Sequence, residues 1–175
     1  NQSLVASLIA NDGAEATAAW VKGFVANFAR KPEGSDTTQI EAVAAGQCRL
    51  ALVNSYYLAR FVEGEDDRAR AIGAAIGVFF PGQSGRGVHM NISGAGLARH
   101  APNRANAEKL VAYLLSDAAQ REFALANNEY PVVPSIAASG PVATFGEFKA
   151  DPLPMSELGA HQNQAVELMA AAGWE

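Results

Sequence analysis

The stretch "LALVNSYYLARF", residues 50–61, places two of the chain's four tyrosines next to each other at the end of an apolar run. The apolar letters before Asn54 are typical of a buried strand. Asn54 and Ser55 are good helix N-caps, and the letters after them predict a helix. Adjacent side chains point apart both on a strand and on a helix. Two phenols therefore converge most easily where one element ends and the other begins, which predicts Tyr56 and Tyr57 in the first turn of a helix after a strand.

Two adjacent phenols at a helix start have two interpretations. In the first, the rings pack and each hydroxyl finds a hydrogen-bond partner. In the second, they hold a metal. A free phenol has a pKa near 10, but a hard, highly charged cation displaces its proton. Ferric iron fits better than calcium or magnesium, which take carboxylates, carbonyls and water, or zinc, which prefers His and Cys. The positive end of a helix dipole also stabilises anionic oxygens. The pair alone leaves both interpretations open.

Composition narrows the class of protein. The 175 residues are 49% hydrophobic and 18% charged, which suits one globular unit or two small ones. The net charge of −5, without a cluster of Lys and Arg, argues against a nucleic-acid partner. Cys48 is the only cysteine, so the chain has no internal disulfide and no thiolate metal cluster. No apolar stretch reaches the roughly 18 residues of a membrane-spanning helix.

Helical and strand-like patterns alternate along the chain, which predicts the α/β class, a mixed sheet flanked by helices. Capping residues and glycine stops bound the helical segments. The Pro- and Gly-rich residues 137–159 are predicted to be irregular. The predicted helices are residues 1–13, 14–30, 35–47, 56–65, 103–116, 117–127 and 161–173, and the predicted strands are residues 48–53, 75–83 and 85–94.

Three segments resemble the ferric-iron-binding periplasmic proteins of bacterial ABC importers. They are "QIEAVAAGQCRLALVNSYYLARF" (39–61), "HMNISGAG" (89–96) and "NEYPV" (128–132). The resemblance runs over essentially the whole chain and implies the type II periplasmic-binding-protein fold, also described as transferrin-like. It covers the C-terminal half of a usual member. It implies that residues 1–86 and 138–175 build the C-terminal lobe, and that residues 87–137 cross back to the N-terminal lobe.

The resemblance also implies the residues of a site in a cleft between the lobes. In the family both adjacent tyrosines ligate ferric iron, and they match Tyr56 and Tyr57. The asparagine two positions before them, here Asn54, contacts a synergistic anion in some members. Ser55 adds a hydrogen-bond donor beside it. The turn that begins the chain, Asn1, Gln2 and Ser3, is a further candidate for the anion side. The expected anion is carbonate-, phosphate- or citrate-like.

The expected role is transport. The resemblance implies a protein of the Gram-negative periplasm that delivers iron to an ABC permease in the inner membrane. No signal peptide is evident in this chain, and the upstream N-terminal half of the protein is an expected partner. A purely structural role remains an alternative, as does a same-fold binding protein for a small organic anion or phosphonate. An enzyme using the cleft would need a nucleophile–base pair, which the sequence does not show, so an enzyme is not expected.

Overall fold

A computed structural model describes residues 1–174, and its regular structure is helical. The seven predicted helices are confirmed, with ends that shift by a few residues. Two further α-helices, Asp67–Ala74 and Met155–Ala160, and a 3₁₀ helix, Pro141–Phe145, fall where the sequence predicted none. The 3₁₀ helix and most of the second α-helix lie in residues 137–159, which were expected to be irregular, so that expectation is wrong there. The described residues form α1 (Gln2–Asp12), α2 (Ala14–Ala26), α3 (Asp36–Ala44), α4 (Ser55–Val62), α5 (Asp67–Ala74), α6 (Arg104–Leu114), α7 (Asp117–Asn127), a 3₁₀ helix (Pro141–Phe145), α8 (Met155–Ala160) and α9 (Gln162–Ala171).

The chain divides into two compact units, each built from separate stretches of sequence. The first unit comprises Asn1–Pro32, Phe79–Asn91 and Phe148–Glu175, and the second comprises Glu33–Val78 and Ile92–Glu147. These boundaries differ from the lobe boundaries that the resemblance implied. The predicted lobes belong to a complete binding protein, and their assignment stays a prediction.

The core of the first unit lies between α1, α2 and α9. Val5 and Ile9 are four residues apart, so they lie on one face of α1. Phe24 of α2 and Phe28, just after α2, contact the Trp174 indole, with ring centroids 5.0 and 6.0 Å away. Because aromatic rings bury a large area, these contacts hold Trp174 against α2. The buried residues of this core are Val5, Ala6, Ile9, Val21, Ala165, Met169 and Trp174.

A short backbone contact joins two further stretches of the first unit. The Val88 N–H donates to the Lys149 carbonyl (2.8 Å), and the Asp151 N–H donates to the Val88 carbonyl (2.9 Å). Gly87 has a φ of +106°, and a Cβ there would lie 2.4 Å from the Lys149 oxygen. This close approach therefore requires glycine.

The predicted mixed sheet is not confirmed. Within residues 1–174, none of the predicted strands 48–53, 75–83 and 85–94 forms, and the only strand-like pairing is the isolated parallel bridge between Val88 and Ala150. A strand needs a neighbouring strand to bond its backbone N–H and C=O groups. An apolar run in the sequence indicates a strand but does not identify its pairing partner. Leu50 and Phe79, expected inside a sheet, are 87% and 83% exposed.

The second unit packs α4 against α5 and the 3₁₀ helix. Leu58 and Ala59 of α4 are buried, and Val142 of the 3₁₀ helix is fully buried. A Cβ at Gly73 of α5 would lie 2.8 Å from the Phe61 backbone, so the two helices meet closely there only because this residue is glycine.

No helix in the described part of the chain has the length and apolar character needed to cross a membrane.

The buried face of α1 gives a direct test of the first unit's core. Val5 is fully buried, whereas Val166 of α9 is 40% exposed. Val5→Ala should lower the free energy of unfolding by roughly 1.5–3 kcal/mol, the value of a buried Val side chain, because the cavity left behind is not refilled. The same change at Val166 should cost less than about 0.5 kcal/mol.

Both tryptophans, Trp20 and Trp174, belong to the first unit. Urea unfolding followed by tryptophan fluorescence therefore reports on this unit and compares the two variants directly. Equal unfolding midpoints for Val5→Ala and Val166→Ala would contradict the burial of Val5 in this core.

Candidate metal centre

The tyrosine pair lies at the start of α4, as the sequence predicts. Asn54 is the N-cap, with extended backbone angles (φ −75°, ψ 140°). Its carbonyl accepts the Tyr57 N–H at 3.2 Å, which closes the first turn. Tyr56 and Tyr57 are the second and third residues of the helix. The extended-to-helix junction is therefore present, although its extended side is not paired into a sheet.

The two phenols converge despite their adjacent positions on a helix. Their ring centroids are 4.5 Å apart, with an angle of 38° between the ring planes. Consecutive helical residues diverge by about 100°, so both rings must turn toward each other. The result is a pair of phenol rings in contact at the start of α4.

Arg60 completes this corner of α4, one turn after the pair. Its guanidinium carbon lies 5.8 Å from the Tyr56 ring centroid and 5.1 Å from that of Tyr57, within the range of cation–π interactions. The sequence reasoning missed this residue. The signal was available, because side chains three and four positions apart lie on the same helix face.

The surroundings of Tyr56 favour its neutral form. Burial is the largest cause that raises the pKa of Tyr56, followed by the hydrogen bond and the charge of Tyr57 and then by the charge of Asp36. The Arg60 charge acts in the opposite direction. At neutral pH Tyr56 therefore carries its proton, and a metal that binds the Tyr56 oxygen must displace it.

Asp36, the first residue of α3, holds the N-cap that precedes the tyrosines. Its Oδ2 accepts the Asn54 backbone N–H at 2.8 Å and the Asn54 side-chain Nδ2 at 2.9 Å. The Asn54 side chain makes no capping bond to α4. The sequence reasoning missed this role for Asp36, because nothing local links two residues 18 positions apart. Ser55, partly buried, begins α4 next to this contact.

The remaining anion candidates, Asn1, Gln2 and Ser3, belong to the first unit. They lie at the start of α1, where Asn1 is the N-cap. The Ser3 hydroxyl donates to Asn91 Oδ1 at 3.3 Å and lies 3.1 Å from His89 Nε2. Burial is the main cause that lowers the pKa of the His89 imidazole. Ser3 is thus engaged in a contact network inside its own unit.

The phenol pair suits a hard cation of high charge. Phenolate oxygens are anionic oxygen donors, and the first turn of α4 adds the positive end of a helix dipole. Residues 1–174 contain no group of three or more His, Cys, Asp or Glu side chains arranged to hold a metal. The candidate metal-binding groups of the second unit are the phenols of Tyr56 and Tyr57, and the Ser55 hydroxyl lies next to them in sequence.

Residues 2–153 match the profile of the bacterial extracellular solute-binding proteins, and the chain belongs to this family. Iron uptake protein A1 from Synechocystis sp. is 50% identical over 175 residues, which are all of this chain and 49% of that protein. The chain spans about half the length of the curated relatives it matches.

Solved structures of similar proteins also match this chain over its whole length. The structure described as Trichodesmium IdiA (FutA) in complex with iron and citrate ligands has a TM-score of 0.95 and 47% identity, covering 100% of this chain and 55% of that one. Apo FutA2 from Synechocystis has a TM-score of 0.94 and 45% identity, covering 100% of this chain and 56% of that one. A ferric binding protein from Campylobacter jejuni has a TM-score of 0.93 and 33% identity, covering 99% of this chain and 55% of that one. The resemblance to ferric-iron-binding proteins is therefore confirmed.

The coupling between the phenols predicts how Tyr56 titrates. Tyr57→Phe removes a hydrogen bond and a charge that both raise the pKa of Tyr56. This pKa should therefore fall toward the ordinary value of about 10, without reaching it, because the effect of burial remains. NMR of tyrosine labelled at the hydroxyl-bearing ring carbon measures it directly, with Tyr113→Phe on α6 as the control.

The same shift fixes the direction of the pH effect on stability. The folded protein raises the pKa of Tyr56, so the contribution of its neutral phenol to stability is fully present below about pH 10 and is lost as the pH rises through the raised value. An unaltered Tyr56 titration in Tyr57→Phe would show that the two phenols are not coupled.

Proposed function

We propose that this protein binds ferric iron through the oxygens of Tyr56 and Tyr57 and delivers it to the permease of an ABC importer. The observation that carries the proposal is the convergence of the two phenol rings, whose centroids lie 4.5 Å apart in the first turn of α4. The relatives' own names support it, since they are described as iron uptake and ferric-binding proteins.

The chemistry of the pair favours the ferric ion. Each phenol that binds loses its proton and becomes an anionic ligand, so two of them offset two of the three positive charges of the metal. The Arg60 guanidinium, close to both rings, stabilises the phenolate form. Two oxygens leave much of an octahedral shell open. Because the curated relatives are about twice as long, we propose that an N-terminal half of the protein supplies ligands that face this pair.

A synergistic anion completes the proposed shell. The first turn of α4 favours negative charge, and Ser55 presents a hydroxyl there. The Asn54 amide donates to Asp36, so Ser55 is the more direct candidate, with Asn54 beside it. Asn1, Gln2 and Ser3 are candidates from the first unit. A carbonate-, phosphate- or citrate-like anion fits this role, and the Trichodesmium structure is described with citrate.

The role we propose is carriage of iron through the Gram-negative periplasm to an inner-membrane permease, and binding rather than catalysis. The family to which the chain belongs is one of extracellular solute-binding proteins, which supports this location. Nucleic acid is not a proposed partner, because the net charge is −5 and the sequence has no basic cluster.

The iron ligands are tested by removing one oxygen at a time. Tyr57→Phe and Tyr56→Phe keep the ring and delete the donor. Each should weaken ferric-iron binding by more than the roughly 10- to 100-fold typical of altering a group behind a metal ligand. The visible absorption that arises from phenolate-to-iron charge transfer should also shift or vanish. Titration against a competing chelator, followed by absorbance, measures both effects.

Tyr113→Phe is the matched control, because this tyrosine lies on α6 and is 57% exposed. It should leave affinity and absorbance unchanged. A wild-type spectrum and affinity in Tyr57→Phe would remove the basis of the proposed iron site.

The anion side is tested at Ser55. Ser55→Ala deletes a hydroxyl without harming helix propensity. The gain in iron affinity on adding citrate, phosphate or bicarbonate should fall about tenfold or more, since a hydrogen bond to a charged group is worth about 1.5–3 kcal/mol. Ser55→Thr keeps the hydroxyl and should retain the gain. Ser3→Ala examines the first-unit candidates in the same titration. If every variant keeps the wild-type anion dependence, neither position holds the anion.

A further inference from the structure

One carboxylate oxygen holds the residue that precedes the tyrosine pair at two points. Asp36 Oδ2 accepts both the backbone N–H and the side-chain Nδ2 of Asn54, at 2.8 and 2.9 Å. The two donors come from a single residue, so together they fix its position and its orientation. Hydrogen bonds to a charged acceptor are stronger than those between neutral groups.

The carboxylate is itself held on a fixed base. Asp36 begins α3, where Ser35 and Thr38 form a reciprocal capping box. Ile40, one turn further, is 2% exposed and anchors α3 in the core of the second unit. Gly34, with a φ of +81°, lies so close to Thr38 that a Cβ would stand 2.5 Å from its hydroxyl oxygen. Several local contacts therefore fix the start of α3, and with it the position of Asp36.

The other side of Asn54 leads directly to the phenols. Its carbonyl accepts the Tyr57 N–H at 3.2 Å, so the peptide units on either side of Asn54 are both held. Leu58 and Ala59, buried at 4% and 0% exposure, anchor the next residues of α4. Between these two anchors stand Tyr56 and Tyr57. A shift of Asn54 therefore moves the turn that carries both phenol oxygens.

We propose that Asp36 is a positioning residue for the metal ligands: its carboxylate holds Asn54 and thereby sets where the oxygens of Tyr56 and Tyr57 converge. The inference rests on the proposed iron site and adds to it a residue that does not touch the metal. It also gives Asn54 a role of its own, as the link between Asp36 and the tyrosine-bearing turn.

The experiment compares Asp36→Ala with Asp36→Asn in the purified protein. Asp36→Ala removes the acceptor, and iron affinity should fall about 10- to 100-fold, the range for a group behind a metal ligand. The charge-transfer band should shift, because the phenolate geometry changes. Asp36→Asn keeps an acceptor oxygen and should recover most of the affinity and the band position. This rescue separates hydrogen bonding from net charge.

Asp117→Ala is the matched control. Asp117 is the first residue of α7 after the N-cap Ser116, just as Asp36 follows the N-cap Ser35, and it belongs to the same unit. It should not alter iron affinity or the band. If Asp36→Ala does not yield folded protein, Asp36→Ser gives the same test, because its side chain is too short to make both contacts.

A double-mutant cycle shows whether Asp36 acts through Asn54. The double variant Asp36→Ala with Asn54→Ala should bind iron no more weakly than either single variant, because both remove the same link. Additive losses would overturn the proposal. So would a wild-type band and affinity in Asp36→Ala when Tyr57→Phe loses both. Wild-type binding in Tyr57→Phe itself would overturn the iron site, and with it the role of Asp36 there.

Discussion

Two consecutive residues of a helix must direct their side chains to one point, and the candidate site of this protein depends on how that constraint is met. A regular helix separates neighbouring side chains by about 100°, yet the rings of Tyr56 and Tyr57 lie 4.5 Å apart. The first turn is where such a compromise costs least, because no preceding turn crowds the rings. An N-cap residue in an extended conformation delivers the chain to that turn, and the same residue is held by Asp36.

The packing of the second unit supports this arrangement from behind. Leu58 and Ala59 are buried, and α4 meets α5 at Gly73, where a side chain would collide with the Phe61 backbone. The buried residues of α4 therefore begin at Leu58, directly after Tyr57. A helix of eight residues that is anchored at both ends has little freedom to rotate, so the position of the phenols is set by the core as well as by the cap.

Local chemistry explains what the sequence alone predicted. The seven predicted helices rest on caps and apolar spacing, which are properties of neighbouring residues, and the tyrosine pair at the start of α4 follows from Asn54 and Ser55 in the same way. The strands failed for the opposite reason. The apolar run that contains Leu50 indicates extended structure, but pairing depends on a distant partner that no local pattern identifies.

The missed residues divide along the same line. Arg60 was predictable from its spacing to the tyrosines, whereas Asp36 was not, since its contact with Asn54 spans 18 positions. The helix α5 was missed because its apolar residues run into the segment taken for a strand, although Asp66 caps it through the Ala69 N–H at 2.7 Å. Most helices set by local caps and spacing were predicted from the sequence, with α5 as an exception, whereas the contact of Asp36 with Asn54, which is tertiary, was not.

On the proposed iron site, the proton of Tyr56 sets a free-energy cost that a cation must offset in order to bind. Removing the proton of a phenol with a pKa of about 10 at pH 7 costs about 4 kcal/mol, and the surroundings of Tyr56 raise that cost further. A cation must recover this cost through its attraction to the oxygens, which scales with its charge. A trivalent ion gains half as much again as a divalent ion at the same distance. The features that raise the pKa of Tyr56, namely burial, Tyr57 and the nearby Asp36, therefore set a cost that is equal for all cations and that ferric iron, with the largest gain, offsets most readily. The same proton cost makes release easier as the pH falls, because protons then compete for the oxygens that hold the metal.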